Sequence, residues 1–344
     1  MTAVRPVDPQ WILKAEARQL QLTKPPGSLG RLEEIANRCA AIFESLSFRL
    51  DRPRIVLFAA DHGVCAEGVS PYPQEVTAQM VLNFLAGGAA INCLARAGGI
   101  DLKVVNVGVA AELPAMPALI ARRVAPGTRN FCHGPAMTDE EATAALSVGA
   151  NMAEQAVAEG CGLLGFGEMG IGNTTAAAVV TAALTGCAVR EAVGRGTGAD
   201  DACLERKVSA VERALALHSG CLSNPVDILT RVGGLEIAAM CGYCLGAAAQ
   251  RRPVVTDGFI ATAAAALAIA IEPHVKDYVF AAHLSPEPGH RRLLQFIGLE
   301  PLLNLEMRLG EGTGAALAMK LIEVSAAAFT GMATFSSAGV SDKK

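Results

Sequence analysis

Three glycine-rich turns carry the side chains best suited to chemistry. In GFGEMGIGNTTAAAVV (165–180), Glu168 stands among four glycines ahead of a helix that opens with Asn173, Thr174 and Thr175. Free backbone N–H groups and the positive end of a helix make such a turn a seat for phosphate, with Gly170, Asn173 and Thr174 closest to it. In VGRGTGADD (193–201), Gly196 and Thr197 lie beside Arg195, and Lys207 follows on the next helix, so a second anion-binding turn is expected there. Asp200 and Asp201 read as acids at that helix's N-terminus. In MRLGEGTGAALAM (307–319), Glu311 is flanked by Gly310 and Gly312 before an apolar helix. It is either a helix-capping acid or a general base whose pKa burial raises toward neutrality, and local pattern alone leaves both open.

Other chemistries find less support. Gly165, Gly167 and Gly170 fit the GxGxxG spacing, but no acidic residue is convincingly placed about 20 positions on, which argues against a dinucleotide. There is no GxSxG nucleophile turn and no P-loop lysine motif. His62, His283 and His290 lack metal-ligand spacing and read as structural, so neither a metal nor a cofactor is expected. Most of the ten cysteines fall in apolar segments, as reduced buried thiols do, and Cys241 and Cys244 in CGYC read as small-residue helix packing.

Positioning these turns requires a sheet. Short apolar runs ending in a polar residue recur at 54–61, 102–108, 162–168, 253–258 and 278–285, separated by helical stretches such as 76–97 and 140–159. That alternation predicts an α/β fold, a Rossmann-like parallel sheet flanked by helices, with Asp61, Glu168, Asp257 and His283 at strand ends facing one crevice. The chain is 51% hydrophobic but only 4% aromatic, which suits small-residue packing of helices on a sheet. Helical patterns over 11–48, broken at KPPGSLG with Ser28 as N-cap, and over 315–334 suggest a smaller helical domain. The expected division is 1–50 with 315–344 as that domain and 51–314 as the large α/β domain. Phe259 to Ile271, the most apolar run, is shorter than the roughly 20 residues of a membrane span. The first residues show no charged-then-apolar leader, so the cytoplasm is the expected location. A net charge of −4 without basic clusters argues against nucleic acid and anionic membranes as partners.

Together KPPGSLGRLEEIA (24–36), ADHGV (60–64), EGVSPYPQEVT (67–77), GTRNF and GPAMT (127–138), GEMGIGNTT (167–175), VGRGTG (193–198), DGFI (257–260), HLSPEPGH (283–290) and MRLGEGTGAALA (307–318) resemble one family. It is the nicotinate-nucleotide:dimethylbenzimidazole phosphoribosyltransferases, and the matches run in order over nearly the whole chain. The resemblance implies a homodimer that moves the 5-phosphoribosyl group of nicotinate mononucleotide to 5,6-dimethylbenzimidazole, giving α-ribazole 5′-phosphate for the lower ligand of cobalamin. It also implies Glu311 as proton acceptor, Glu168 as the carboxylate near the ribosyl carbon, and a phosphate seat at Gly170, Gly196, Thr197 and Lys207. Arg308, Leu309, Tyr72 and Met80 would border the substrates. Other members carry small or polar residues near Tyr72 and Met80, which leaves the preferred base open among dimethylbenzimidazole, other benzimidazoles and adenine. The rival readings are an NAD-dependent oxidoreductase and a catalytically silent nucleotide-binding regulator.

Overall fold

The computed structural model describes residues 3–341, so the outermost ends of the expected small domain, residues 1–2 and 342–344, lie outside the described residues. Two helices open the chain, α1 (Pro9–Gln21) and α2 (Arg31–Phe43), followed by strand β1 (Arg54–Ala60). Next come α3 (Val76–Ala86), α4 (Ala90–Gly98), β2 (Asp101–Gly108), β3 (Leu119–Ala121), α5 (Asp139–Ala158) and β4 (Leu164–Met169). The second half holds α6 (Asn173–Thr185), α7 (Val189–Ala192), α8 (Asp201–His218), α9 (Pro225–Val232) and α10 (Leu235–Ala249). It closes with β5 (Val254–Thr256), α11 (Phe259–Ile271), β6 (Val279–Ala281), α12 (Pro288–Ile297), α13 (Thr313–Gly331) and α14 (Phe335–Ala338).

All strand pairs are parallel, in the order β3-β2-β1-β4-β5-β6. The chain runs outward from β1 in one direction, then returns to β4 and runs outward in the other. A crevice opens where the order reverses, at the carboxyl ends of the strands. Strand β1 is buried along its full length, which is why RIVLFAA reads as a continuous apolar run rather than an alternating one. The five apolar runs expected as strands all pair in this sheet, and the structure adds β3 at its edge.

Three expectations about local structure need correction. Ser28 does not cap α2: the N-cap is Gly30, at φ 53°, and Glu33 turns back to accept the Leu29 N–H at 3.0 Å while pairing with Lys24 at 2.7 Å. The stretch 76–97 is not one helix, because Gly87 ends α3 in the left-handed region at φ 78°. Asp61 does not face the crevice with the other strand-end acids; its Oδ2 accepts the Ala110 N–H at 2.8 Å and is drawn into the loop after β2. Asp200, as expected, opens α8 as its N-cap, accepting the Cys203 N–H at 2.7 Å.

Two stretches reach membrane-spanning length and apolarity, Val76–Gly98 and Thr313–Gly331. The first is broken into α3 and α4, each shorter than a span. The second is α13, half buried as a core helix against α2, α4 and strands β4 and β5. Helix α1 packs on α2, and an isolated bridge from Leu22 to Thr334 ties the start of the chain to its end.

Candidate active site

A cavity of about 630 Å³ opens at the carboxyl ends of β4, β5 and β6. Glu168, Gly170, Asn173 and Thr174 line it from the β4–α6 turn, Gly196 and Thr197 from the loop after α7, and Lys207 from α8. Arg308, Leu309 and Glu311 close it from the turn before α13, with Tyr72 and Met80 on the remaining side. Every site residue expected from sequence therefore borders one space. Asp257, Ser285 and Glu287 also line it, and of these the sequence pattern singles out only Asp257, as a strand-end acid.

One wall is acidic. Glu168, near the end of β4, is buried, and its carboxylate accepts the side-chain amide of Asn173 at the start of α6. Burial, with the charges of Glu236, Asp257 and Glu311 around it, pushes its pKa up to about 8 against the Asn173 hydrogen bond. Asp257 follows β5 and accepts backbone N–H groups from Gly312 at 2.9 Å, Gly314 at 2.7 Å and Ala315 at 3.1 Å. It caps α13 from across the sheet, and burial raises it to about 7 while those three bonds pull the other way. Glu311 is thus relieved of the capping role: the cap of α13 is Asp257.

Glu311 instead sits in the left-handed region at φ 63°, between Gly310 and Gly312, each at φ 84°. For a residue with a Cβ that conformation costs roughly 1–2 kcal/mol. It turns the side chain into the cavity, where Glu311 Oε2 is buried without a hydrogen-bond partner among the described residues. Burial, above all, raises its pKa from the ordinary carboxylate value, with the backbone N–H of Ile91 pulling the other way and the charge of Asp257 adding to the rise. A buried carboxylate with one oxygen free and a raised affinity for a proton is suited to act as a general base.

Cations line the cavity as well. Lys207 is buried and donates from Nζ to Thr174 Oγ1 at 2.9 Å, and burial lowers its pKa from the usual lysine value. Arg195 is held by Asp201 and by the Ala199 carbonyl, at 2.9 Å from Nη1. The Gly196 N–H donates to Glu287 Oε1 at 2.8 Å, a contact spanning 91 residues of sequence that no local pattern reveals. At the mouth, Tyr72 and Leu309 are about half exposed.

The histidines hold the frame. His290 Nδ1 accepts the Ser285 N–H at 2.9 Å and Nε2 meets Thr262 Oγ1 at 2.9 Å, with burial and His283 lowering its pKa to about 3. His283 lines the cavity 3.7 Å from Asp257, and burial lowers its pKa too. Cys241 and Cys244 are buried on α10.

Comparison with known proteins follows the same lines. A family model described as phosphoribosyltransferase matches residues 4–340. A nicotinate-nucleotide–dimethylbenzimidazole phosphoribosyltransferase from Geotalea uraniireducens is 53% identical over 342 residues, 99% of this chain and 97% of its own length. The protein of that name from Thermus thermophilus is 54% identical over 336 residues, 97% of this chain and 99% of its own. A crystal structure of CobT from Thermus thermophilus superposes with a TM-score of 0.93 at 52% identity, covering 97% of this chain and all of the other. Such matching from end to end sets aside the oxidoreductase and silent-regulator readings, and the chain belongs to the nicotinate-nucleotide–dimethylbenzimidazole phosphoribosyltransferase family of enzymes.

Proposed function

We propose that the protein transfers the 5-phosphoribosyl group of nicotinate mononucleotide to 5,6-dimethylbenzimidazole or a related base, forming α-ribazole 5′-phosphate and nicotinate. The observation that carries this reading is one cavity lined both by the carboxylates of Glu168, Asp257 and Glu311 and by Lys207 with Thr174. A substrate with a cationic ring and an anionic phosphate fits that polarity.

The residues divide the work. The phosphate rests near Lys207, Thr174 and the start of α6, where the helix dipole adds to the ammonium charge. The bond from C1′ to the nicotinate nitrogen breaks with its electron pair moving to that ring, which loses its positive charge. A benzimidazole nitrogen forms the new bond to C1′, and the N–H proton of the base passes to Glu311. Glu168 faces the electron-poor ribosyl carbon and stabilises it best as an anion. A bound pyridinium would pull the Glu168 pKa down from its free value, so substrate and carboxylate charge reinforce each other.

Tyr72, Met80 and Leu309 offer an apolar border to the incoming base. Two further readings accompany this one. Residues 1–50 with 315–344 form the smaller domain and 51–314 the larger, which limited proteolysis tests through the cleavage sites. The protein works in the cytoplasm and as a homodimer, the dimer supported by apolar surface that α3 and α4 leave uncovered, since only 28% of an 18-residue window in that stretch is buried in one chain. Light scattering at working concentration tests the dimer.

The reaction is tested by incubating the protein with nicotinate mononucleotide and dimethylbenzimidazole and following nicotinate and α-ribazole phosphate by chromatography. Folded protein that forms neither product, with any of several benzimidazoles or adenine, would refute it.

A further inference from the structure

Behind the acidic wall lies an ion pair that takes no part in the cavity surface. His62, just after β1, and Glu236, in the first turn of α10, are both completely buried, with His62 Nε2 2.7 Å from Glu236 Oε1. Neither lines the cavity. His62 Nδ1 and Glu236 Oε2 have no hydrogen-bond partner among the described residues. Burial alone would lower the His62 pKa, but the charge and hydrogen bond of Glu236, with Asp61, hold it above the ordinary imidazole value. A half-satisfied buried pair of this kind is poor stabilisation, because apolar side chains of the same volume usually serve stability as well or better.

Its contacts point to another role. A Cβ on Gly170 would lie 3.4 Å from both Glu236 Oε1 and the His62 Cδ2, so the pair is packed directly under that residue. A Cβ on Gly172 would lie 3.4 Å from His62 Cβ. Gly170 shows its other side to the cavity. The turn resting on the pair joins Glu168 on β4 to Asn173 on α6, and Asn173 is the residue that holds the Glu168 carboxylate. The charged groups that face Glu168 are Glu236 from α10, Asp257 from the end of β5 and Glu311 from the turn before α13. Of these, Asp257 is engaged by three backbone N–H groups, and Glu311 shares the acidic wall with Glu168 from the turn before α13.

We infer that the His62–Glu236 pair is a positioning unit for Glu168, acting through the Gly170–Asn173 turn and through the charge it presents beneath that turn. The inference rests on the reading of Glu168 as the carboxylate that eases positive charge at the ribosyl carbon. The two halves of the pair then have opposite electrostatic effects. Glu236→Gln removes a negative charge beneath Glu168 and eases its ionisation. His62→Gln leaves the Glu236 carboxylate without its cationic partner and opposes that ionisation.

The test measures kcat and KM for nicotinate mononucleotide from pH 5 to 9 in the wild type, E236Q and H62Q, with melting temperatures to confirm folding. The acid limb of kcat/KM should move down by about one pH unit in E236Q and up by about one in H62Q. Both variants should lose kcat with KM changed less than about threefold, because the pair does not touch substrate. Opposite shifts are a signature that loss of packing alone does not produce. Unchanged profiles, or shifts in the same direction, would overturn the inference. Should E236Q fail to fold, the upward shift in H62Q alone supports it and its absence overturns it. A wild-type protein without phosphoribosyl transfer would instead defeat the reaction assignment, so the two failures are distinguishable.

Discussion

Gly167 and Gly312 meet backbone to backbone: a Cβ on Gly167 would lie 2.2 Å from the Gly312 nitrogen. Strand β4, which carries Glu168, is thereby pressed against the turn that carries Glu311. The two carboxylates proposed for opposite tasks are thus set by one contact in which no side chain takes part.

Gly167→Ala forces the two backbones apart, since neither is the end of a flexible side chain. Displacements near 1 Å at a reacting centre cost about a hundredfold in rate. The expected outcome is a loss of that order in kcat with a smaller change in KM, read by steady-state kinetics. A variant with wild-type turnover would show that the close approach is not required.

Asp257 should matter for stability as well as activity. Its carboxylate holds the first N–H groups of α13, and each buried donor left unpaired costs about 1–3 kcal/mol. Asp257→Ala is expected to lower unfolding free energy by at least about 3 kcal/mol on the same reasoning, while Asp257→Asn, which keeps an acceptor oxygen, loses less. Urea denaturation of both variants checks the order. Equal stability of the two would remove the capping role.

The acidic wall also predicts how stability depends on pH. Glu168 in the folded chain titrates at about 8 and Asp257 at about 7, and Glu311 is shifted the same way. Unfolded carboxylates titrate near 4, so between that value and about 8 these three groups hold more protons folded than unfolded; below about 6.5 the lowered pKa values of His283 and His290 offset part of this. The contribution of these carboxylates to stability falls as pH rises through this window, most clearly above the range where the histidines titrate. Melting temperature should decline from pH 5 to 8, and Glu168→Gln should flatten part of that decline. A decline equally steep in the variant would contradict the burial of a proton on Glu168.

Lys207 gives a separate prediction on binding. Its buried ammonium beside Thr174 is the cation placed deepest in the cavity wall, and a unit charge close to phosphate is worth up to about 4 kcal/mol at an effective dielectric of 20. Lys207→Met should raise KM for nicotinate mononucleotide by about a hundredfold, with kcat changed far less. An unchanged KM would move the phosphate elsewhere.

What the sequence disclosed and what it hid follow from the range of the interactions. Five strands were legible because each lies in a largely buried apolar run, whereas Leu119–Ala121 is an edge strand set among prolines with none of its three residues fully buried. Glu168 and Glu311 were legible because glycines beside them mark turns, and Lys207 because it follows such a turn on the next helix. Glu287, His62 and Glu236 were not given site roles, since their partners lie 91 and 174 residues away and no spacing rule spans such distances. The same limit explains why local pattern leaves Glu311 undecided between cap and base. Its competitor for the cap, Asp257, is 54 residues earlier, and only the fold brings it to the start of α13.

The central claim is that Glu311 accepts the proton of the incoming base. Glu311→Gln keeps the volume of the side chain and its place in the turn but cannot take a proton at neutral pH. Single-turnover formation of α-ribazole phosphate, measured beside the affinity for nicotinate mononucleotide, tests this most directly. A loss of about a hundredfold to ten-thousandfold in the chemical step with affinity retained is the predicted result; turnover near that of the wild type would contradict it.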